Sequence, residues 1–162
     1  MNYLKDELTH FGPIVLLNYG SGSVKRNGIY DQVVAILRED WMVHMIGHSV
    51  GAWTHAPHGY CLAAVSMAYY RRAMKPGLPK FVRFANNVWD INGDGMTDEQ
   101  IAGAGLEALK NWMLEIGLPL TISEIGATPD MIPGITEGTI CYPAGYMDLK
   151  PTDITEILQE SM

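Results

Sequence analysis

Histidine is concentrated in one short stretch of the chain. Four of the five histidines, His44, His48, His55 and His58, fall within the sequence HMIGHSVGAWTHAPHG. Residues four apart share one face of a helix, so His44 and His48 would lie about one turn apart. The letters THAPHG then break the helix and place His58 just before the next one. Two histidines on a helix and a third from a loop can converge on one metal ion, because neutral imidazole suits iron, zinc, cobalt or nickel.

Spacing alone leaves two interpretations of these histidines open. One is a metal or catalytic site, and the other is a group of structural histidines that are close in sequence. The helical zinc pattern HExxH does not decide between them, since residue 45 is methionine.

A second stretch, DINGDGMTDEQI at 90–101, resembles a calcium-binding loop. Its first, third and fifth positions are Asp90, Asn92 and Asp94, and a glycine follows at the sixth. The twelfth position, which should be a bidentate glutamate, is Ile101. Thr97 also begins a capping box that would start a helix too early for a complete loop. We therefore expect a turn between two helices and no calcium site.

Composition narrows the function classes. The chain has 162 residues, about one domain, with 48% hydrophobic residues and a net charge of −7. Its few basic residues are scattered, which argues against nucleic acid as a partner. No apolar run approaches the roughly 18 residues that span a bilayer, so no membrane is expected. Cys61 and Cys141 lack CxxC spacing, and the N-terminus does not resemble a signal peptide, so we expect reduced thiols and a cytoplasmic location.

The first forty residues have the pattern of an α/β unit. The apolar run PIVLLNY at 13–19 is typical of a buried strand, GSGS at 20–23 of a turn, and 29–39 of an amphipathic helix. Such a strand needs partner strands, and none follows in the sequence. Its free edges could pair between two copies of the chain, which predicts a homodimer through residues 13–19.

The rest of the chain has helical patterns. Residues 60–74 are apolar almost all round, which predicts a buried helix, and 78–89 carry a clean helical stripe. Thr97 and Gln100 form a capping box for a helix that ends at Gly117. A Gly- and Pro-rich stretch at 118–150 predicts loops with one short helix near 129–136. Thr152 is the predicted cap of a final helix.

The stretch DWMVHMIGHSVGAWTHAPHGYCLA resembles the histidine signature of the iron-containing (group III) alcohol dehydrogenases, in the butanol dehydrogenase-like branch. The resemblance continues through FVRFANNVWDIN, TDEQIAGAGLEALKNWMLEIGLPLTISEIG and LKPTDITEIL. The first 40 residues are similar to the opening of the same family's N-terminal dinucleotide-binding domain. This family transfers hydride reversibly between NAD(P)H and a small aldehyde or alcohol.

The resemblance implies roles for individual residues. His44 and His58 match the family's metal-ligand histidines, and His48 matches the histidine near the nicotinamide that is implicated in proton relay. The turn formed by Gly20, Ser21, Gly22 and Ser23 resembles the one near the adenosine end of the cofactor. His55 is expected to be a loop residue. Gly47 stands where the family commonly has glutamate, which predicts a looser helix.

Between Asp40 and Trp41 the resemblance passes over a segment that members of the family have, which predicts an internal deletion. The segment passed over would hold the pyrophosphate-binding turn and two further metal ligands, an aspartate and a histidine. The implied domains are a remnant of the dinucleotide-binding domain at 1–40 and a helical metal-binding domain at 41–162.

The predicted fold is therefore mainly α: the helical C-terminal domain of the iron-containing alcohol dehydrogenase type, preceded by a single βα remnant. The resemblance implies a divalent metal (iron, zinc or nickel), NAD(P)H and a small alcohol or aldehyde. The predicted function is an NAD(P)H-linked alcohol dehydrogenase that is catalytically incomplete as this chain. The alternatives are a fragment completed by another polypeptide, and a non-enzymatic helical module that binds metal or assembles through its unpaired strand.

Overall fold

A computed structural model describes residues 40–141 and 145–162. The regular elements in this part of the chain are all helical. They are α1 (Met42–Thr54), α2 (His58–Met74), α3 (Leu78–Trp89), α4 (Asp98–Glu115), α5 (Ile132–Gly138) and α6 (Pro151–Glu160), with 3₁₀ turns at Ser123–Ile125 and Pro129–Met131. The mainly helical fold class is thus confirmed here. The predicted βα remnant, with its strand at 13–19 and turn at 20–23, lies outside the described residues.

Helix α2 forms the centre of the core. It is buried on nearly all sides from Cys61 to Tyr70, as its apolar sequence predicts. Helices α1, α4 and α6 all contact it, while α3 packs against α4 and α5 against α1 and α6. None of the helices in the described ranges is both long and apolar enough to cross a bilayer.

Two glycines allow neighbouring helices to approach closely. A Cβ at Gly47 of α1 would lie 2.6 Å from Cδ2 of Leu62 in α2. A Cβ at Gly105 of α4 would lie 2.6 Å from Cβ of Ala85 in α3. Gly47 is therefore a packing residue, and its lower helix propensity is offset by the contact that it permits.

Most helix ends follow the sequence signals. At α4, the N–H of Gln100 donates to Oγ1 of Thr97 at 3.3 Å, and the N–H of Thr97 donates to Oε1 of Gln100 at 2.8 Å, which is the predicted capping box. The predicted cap at Thr152 is wrong. Helix α6 begins at Pro151, and the N–H of Lys150 donates to Oδ2 of Asp153 at 2.8 Å. Proline favours this first helical position because it has no N–H to satisfy.

Candidate metal centre

Helices α1 and α2 bring three of the four clustered histidines together. His44 and His48 lie one turn apart on α1, and His58 is the first residue of α2. One ring nitrogen from each lies within 4.8 Å of the other two. His55 does not join them. It ends α1 in the left-handed conformation, with φ +57°, as part of the connection to α2.

The ring positions bring three imidazoles within reach of a single metal ion. The ring centroids are 4.3 Å apart for His44 and His48, 4.7 Å for His44 and His58, and 4.6 Å for His48 and His58. A ligand nitrogen about 2.1 Å from an ion puts its ring centroid about 3.3 Å away. Three such rings have centroids about 4.6 Å apart at right angles around the ion, and about 5.3 Å apart in a tetrahedron. The centroid separations are close to the right-angled arrangement, but the ring nitrogens are brought only within 4.8 Å of one another, so the rings would have to turn toward a shared ion.

The electrostatic environment of two of these rings favours their ligand form. Burial lowers the pKa of His44, and the neighbouring charges of His48 and His58 lower it further. Burial and then the charge of His48 lower the pKa of His58. A lower pKa favours the neutral imidazole at pH 7, and only the neutral ring can bind a cation.

One nitrogen of the cluster is also unsatisfied. Nδ1 of His44 is buried and has no hydrogen-bond partner within residues 40–141 and 145–162. A buried polar atom in this state costs about 1–3 kcal/mol. Binding of a cation by the cluster would remove this cost, directly at Nδ1 or by fixing the ring so that a water can reach it.

An open depression adjoins the histidines. It has a volume of about 320 Å³ and is lined by Gly47, His48, Gly51, Ala52, Ala56 and His58. Apart from the two imidazoles, its lining residues are all glycine or alanine. Such a surface admits a small or flat molecule close to the histidine rings.

A buried carboxylate anchors the start of α1, one turn before His44. Asp40 is 5% exposed. Its Oδ1 accepts a hydrogen bond from the N–H of Met42 at 3.0 Å. Its Oδ2 accepts bonds from the hydroxyl of Tyr69 and from the N–H of Tyr146, the latter at 3.2 Å. Sequence reasoning missed this anchor. The available signal was an acid next to a helix start, a residue type that commonly binds free N–H groups there.

A family model described as the C-terminal part of the Fe-containing alcohol dehydrogenase family matches residues 31–162. The chain belongs to this family. The family resemblance seen in the histidine signature is thereby confirmed.

Two relatives of this alcohol dehydrogenase family member each match more than half of the chain. NADH-dependent butanol dehydrogenase B of Clostridium acetobutylicum is 52% identical over 123 residues, which is 74% of this chain and 31% of the relative. NADPH-dependent aldehyde reductase YqhD of Escherichia coli is 31% identical over 97 residues, which is 60% of this chain and 24% of the relative. The chain thus spans less than two thirds of the length of these relatives.

Solved structures of alcohol dehydrogenases share the fold. NADH-dependent butanol dehydrogenase A from Thermotoga maritima has a TM-score of 0.69 and 26% identity, over 80% of this chain and 35% of that one. An alcohol dehydrogenase from Oenococcus oeni has a TM-score of 0.70 and 23% identity, over 82% of this chain and 35% of that one. The helical body described above is therefore a known alcohol dehydrogenase architecture.

The other predictions made from the sequence concern the cofactor-binding turn, the calcium-like loop, the dimer, the location and the domain boundary. Gly20, Ser21, Gly22 and Ser23, predicted to bind the cofactor, lie outside the described residues. In the loop at 90–97 the side-chain amide of Asn92 donates to Oδ2 of Asp94 at 3.0 Å, and the N–H of Asp94 donates to Oδ1 of Asn92 at 3.1 Å. The expectation that this loop binds no calcium stays a prediction. The dimer through the strand at 13–19, the cytoplasmic location and the domain boundary after Asp40 stay predictions.

Proposed function

We propose that this chain is the metal-binding helical part of an NAD(P)H-linked oxidoreductase that acts on small alcohols and aldehydes. The observation that carries the proposal is the convergence of His44, His48 and His58 beside an open depression. Membership of the iron-containing alcohol dehydrogenase family supports it.

In this proposal His44 and His58 hold a divalent metal, with iron first and zinc or nickel as alternatives. When bound, such a metal acts as a Lewis acid toward the substrate oxygen. His44 is the more enclosed of the two and has the unsatisfied nitrogen, so it supplies a fixed ligand. His58 follows Pro57, whose restricted backbone fixes the point at which α2 begins.

His48 is the proposed proton carrier. It is exposed and lines the depression, so a substrate oxygen can reach its ring. A bound NAD(P)H would supply the hydride for aldehyde reduction, and the role proposed for His48 is to give a proton to the carbonyl oxygen. In alcohol oxidation the same ring accepts that proton.

The depression supports a short substrate. Its glycine and alanine lining offers apolar contact and no charged group besides the imidazoles. The named relatives include butanol dehydrogenases and an aldehyde reductase. Butanal is therefore the first substrate to test.

We further propose that the chain alone binds metal but turns over poorly. The metal-ligand cluster found among the described residues consists of imidazoles and includes no carboxylate. With His48 assigned as the proton carrier, only His44 and His58 of the three imidazoles remain as ligands. Catalytic metals usually have at least three protein ligands as well as an open position, so these two alone form a weak site. A nicotinamide cofactor also needs a crevice between parallel strands and helices, and residues 40–141 and 145–162 contain no strand.

Elemental analysis of the purified chain tests the metal site. We expect iron, zinc or nickel in the parent and none in the His44→Ala/His58→Ala double variant. Equal metal content in the two proteins would refute the assignment.

A turnover assay with NADH or NADPH and butanal tests the proposed incompleteness. We expect little oxidation of the cofactor by either protein. Metal-dependent turnover by the parent, well above that of the double variant, would show that the chain forms a complete active site.

A further inference from the structure

We propose that Asp40 is a positioning residue for the metal centre. Its carboxylate fixes the first turn of α1 against α2 and against the segment at Tyr146, and so keeps His44 within reach of His58. Asp40 would act through the helix and not by touching the ion. This inference rests on the proposed metal-binding function.

The contacts of Asp40 join three separate parts of the chain. Oδ1 binds the N–H of Met42 in the first turn of α1, which also places a negative charge at the positive end of that helix. Oδ2 binds the hydroxyl of Tyr69 near the middle of α2 and the N–H of Tyr146 after α5. A carboxylate that is 5% exposed is expensive to bury, and these three hydrogen bonds compensate for its lost hydration.

The anchor lies on one side of His44, and the closest helix contact lies on the other. Asp40 and its partner Tyr69 hold α1 four residues before His44. Gly47 meets Leu62 three residues after it. The later a residue lies in α1, the earlier its partner lies in α2, so the two helices run antiparallel. His44 is therefore on a segment fixed at both ends, and release of one end would let its ring move away from His58.

The backbone around Tyr146 is shaped to reach the carboxylate. Gly145 has a φ of +144°, a conformation that L side chains rarely adopt. A Cβ at Gly145 would also lie 3.0 Å from Cγ and Oδ2 of Asp40. Glycine is thus required here both for the backbone conformation and for the close approach.

Two substitutions distinguish the negative charge of Asp40 from its hydrogen bond to Tyr69 of α2. Asp40→Asn keeps the side-chain shape but replaces one oxygen with an NH₂ group. At the place of Oδ2 that group would face the N–H of Tyr146, which can only donate. Tyr69→Phe removes the bond to α2 and leaves the bonds from Met42 and Tyr146 in place.

The test is a Co²⁺ titration of the full chain, followed by the visible absorption of the bound ion, together with a melting curve for each variant. We expect Asp40→Asn to weaken Co²⁺ binding about tenfold, as loss of a supporting group around a metal typically does, and to change the absorption spectrum. Tyr69→Phe should weaken binding several-fold. The matched control is Ile157→Val, a fully buried position in α6, which packs against α2 and α5. It should lower the melting temperature without changing Co²⁺ affinity.

The outcomes distinguish this inference from the proposed function. If the parent binds no Co²⁺, the metal centre itself is refuted. If the parent binds and both variants bind equally well despite lower melting temperatures, Asp40 is a stability residue only and the positioning role is refuted. Should Asp40→Asn fail to fold, the result for Tyr69→Phe decides.

Discussion

The close approach of α1 and α2 at Gly47 allows a prediction with a magnitude. In an open helix, glycine to alanine raises the free energy of unfolding by about 0.5–1 kcal/mol. At Gly47 the new methyl carbon would lie 2.6 Å from Cδ2 of Leu62, far inside van der Waals contact. Leu62 is 7% exposed and must leave its rotamer in a filled core, which costs about 1–3 kcal/mol. We expect Gly47→Ala to lower the free energy of unfolding by about 1 kcal/mol net.

Urea unfolding monitored by circular dichroism measures this difference in the free energy of unfolding. The same substitution at two other glycines gives values for comparison. Gly103 of α4 has nothing within 4 Å of an added Cβ, so Gly103→Ala should stabilise the chain by about 0.5–1 kcal/mol. At Gly105 the methyl group would lie 2.9 Å from Cα of Ala85, and because backbone must move, its loss should be the largest of the three. If Gly47→Ala stabilised the chain as much as Gly103→Ala, the packing argument would be refuted.

Three further measurements test other parts of the structure. Burial raises the pKa of Tyr70 to about 12. The folded state favours the neutral phenol, so the contribution of Tyr70 to the free energy of unfolding is complete below about pH 10. About 3 kcal/mol of this stability is lost as the pH rises to about 12. Alkaline unfolding should show this loss, and Tyr70→Phe should reduce it; an unchanged profile would contradict it. Co²⁺ at about 100 times its dissociation constant should stabilise the chain by about 2.7 kcal/mol and quench Trp41, whose ring centroid is 5.8 Å from that of His44. His44→Ala should abolish both effects, and their persistence would place the ion elsewhere. Calcium at millimolar concentration should leave the melting temperature unchanged, whereas a rise that is lost in Asp94→Ala would restore the calcium interpretation of the loop at 90–101.

The histidine cluster could be predicted because its information is local. His44 and His48 are four apart on a helix that the apolar pattern indicates, and His58 follows a break of three residues. Helical geometry then places the rings on one side. The anchor at Asp40 could not be found in this way. Its partners Tyr69 and Tyr146 are 29 and 106 residues away, and no local pattern links them.

The fold shows the same division between local and distant information. Thr97 and Gln100 form a local capping box, and the structure contains it. Gly47 was expected to loosen its helix, because the local sequence shows only that glycine is a poor helix former. Leu62, whose side chain approaches this position closely, comes fifteen residues later on another helix. The prediction that Thr152 caps the last helix was wrong because Pro151 is the first helical residue, which places Thr152 inside the helix.

The connection between Asp40 and Tyr146 also has a kinetic consequence. The N–H that completes the carboxylate's hydrogen bonds belongs to a residue 106 positions further along the chain. A ribosome adds about 5–20 residues per second, so this group is synthesised roughly 5–20 s after Asp40. During that interval α1 and α2 can already pair through local contacts, since such contacts form in microseconds to milliseconds. The three histidines are therefore synthesised several seconds before the N–H group that completes the arrangement holding them.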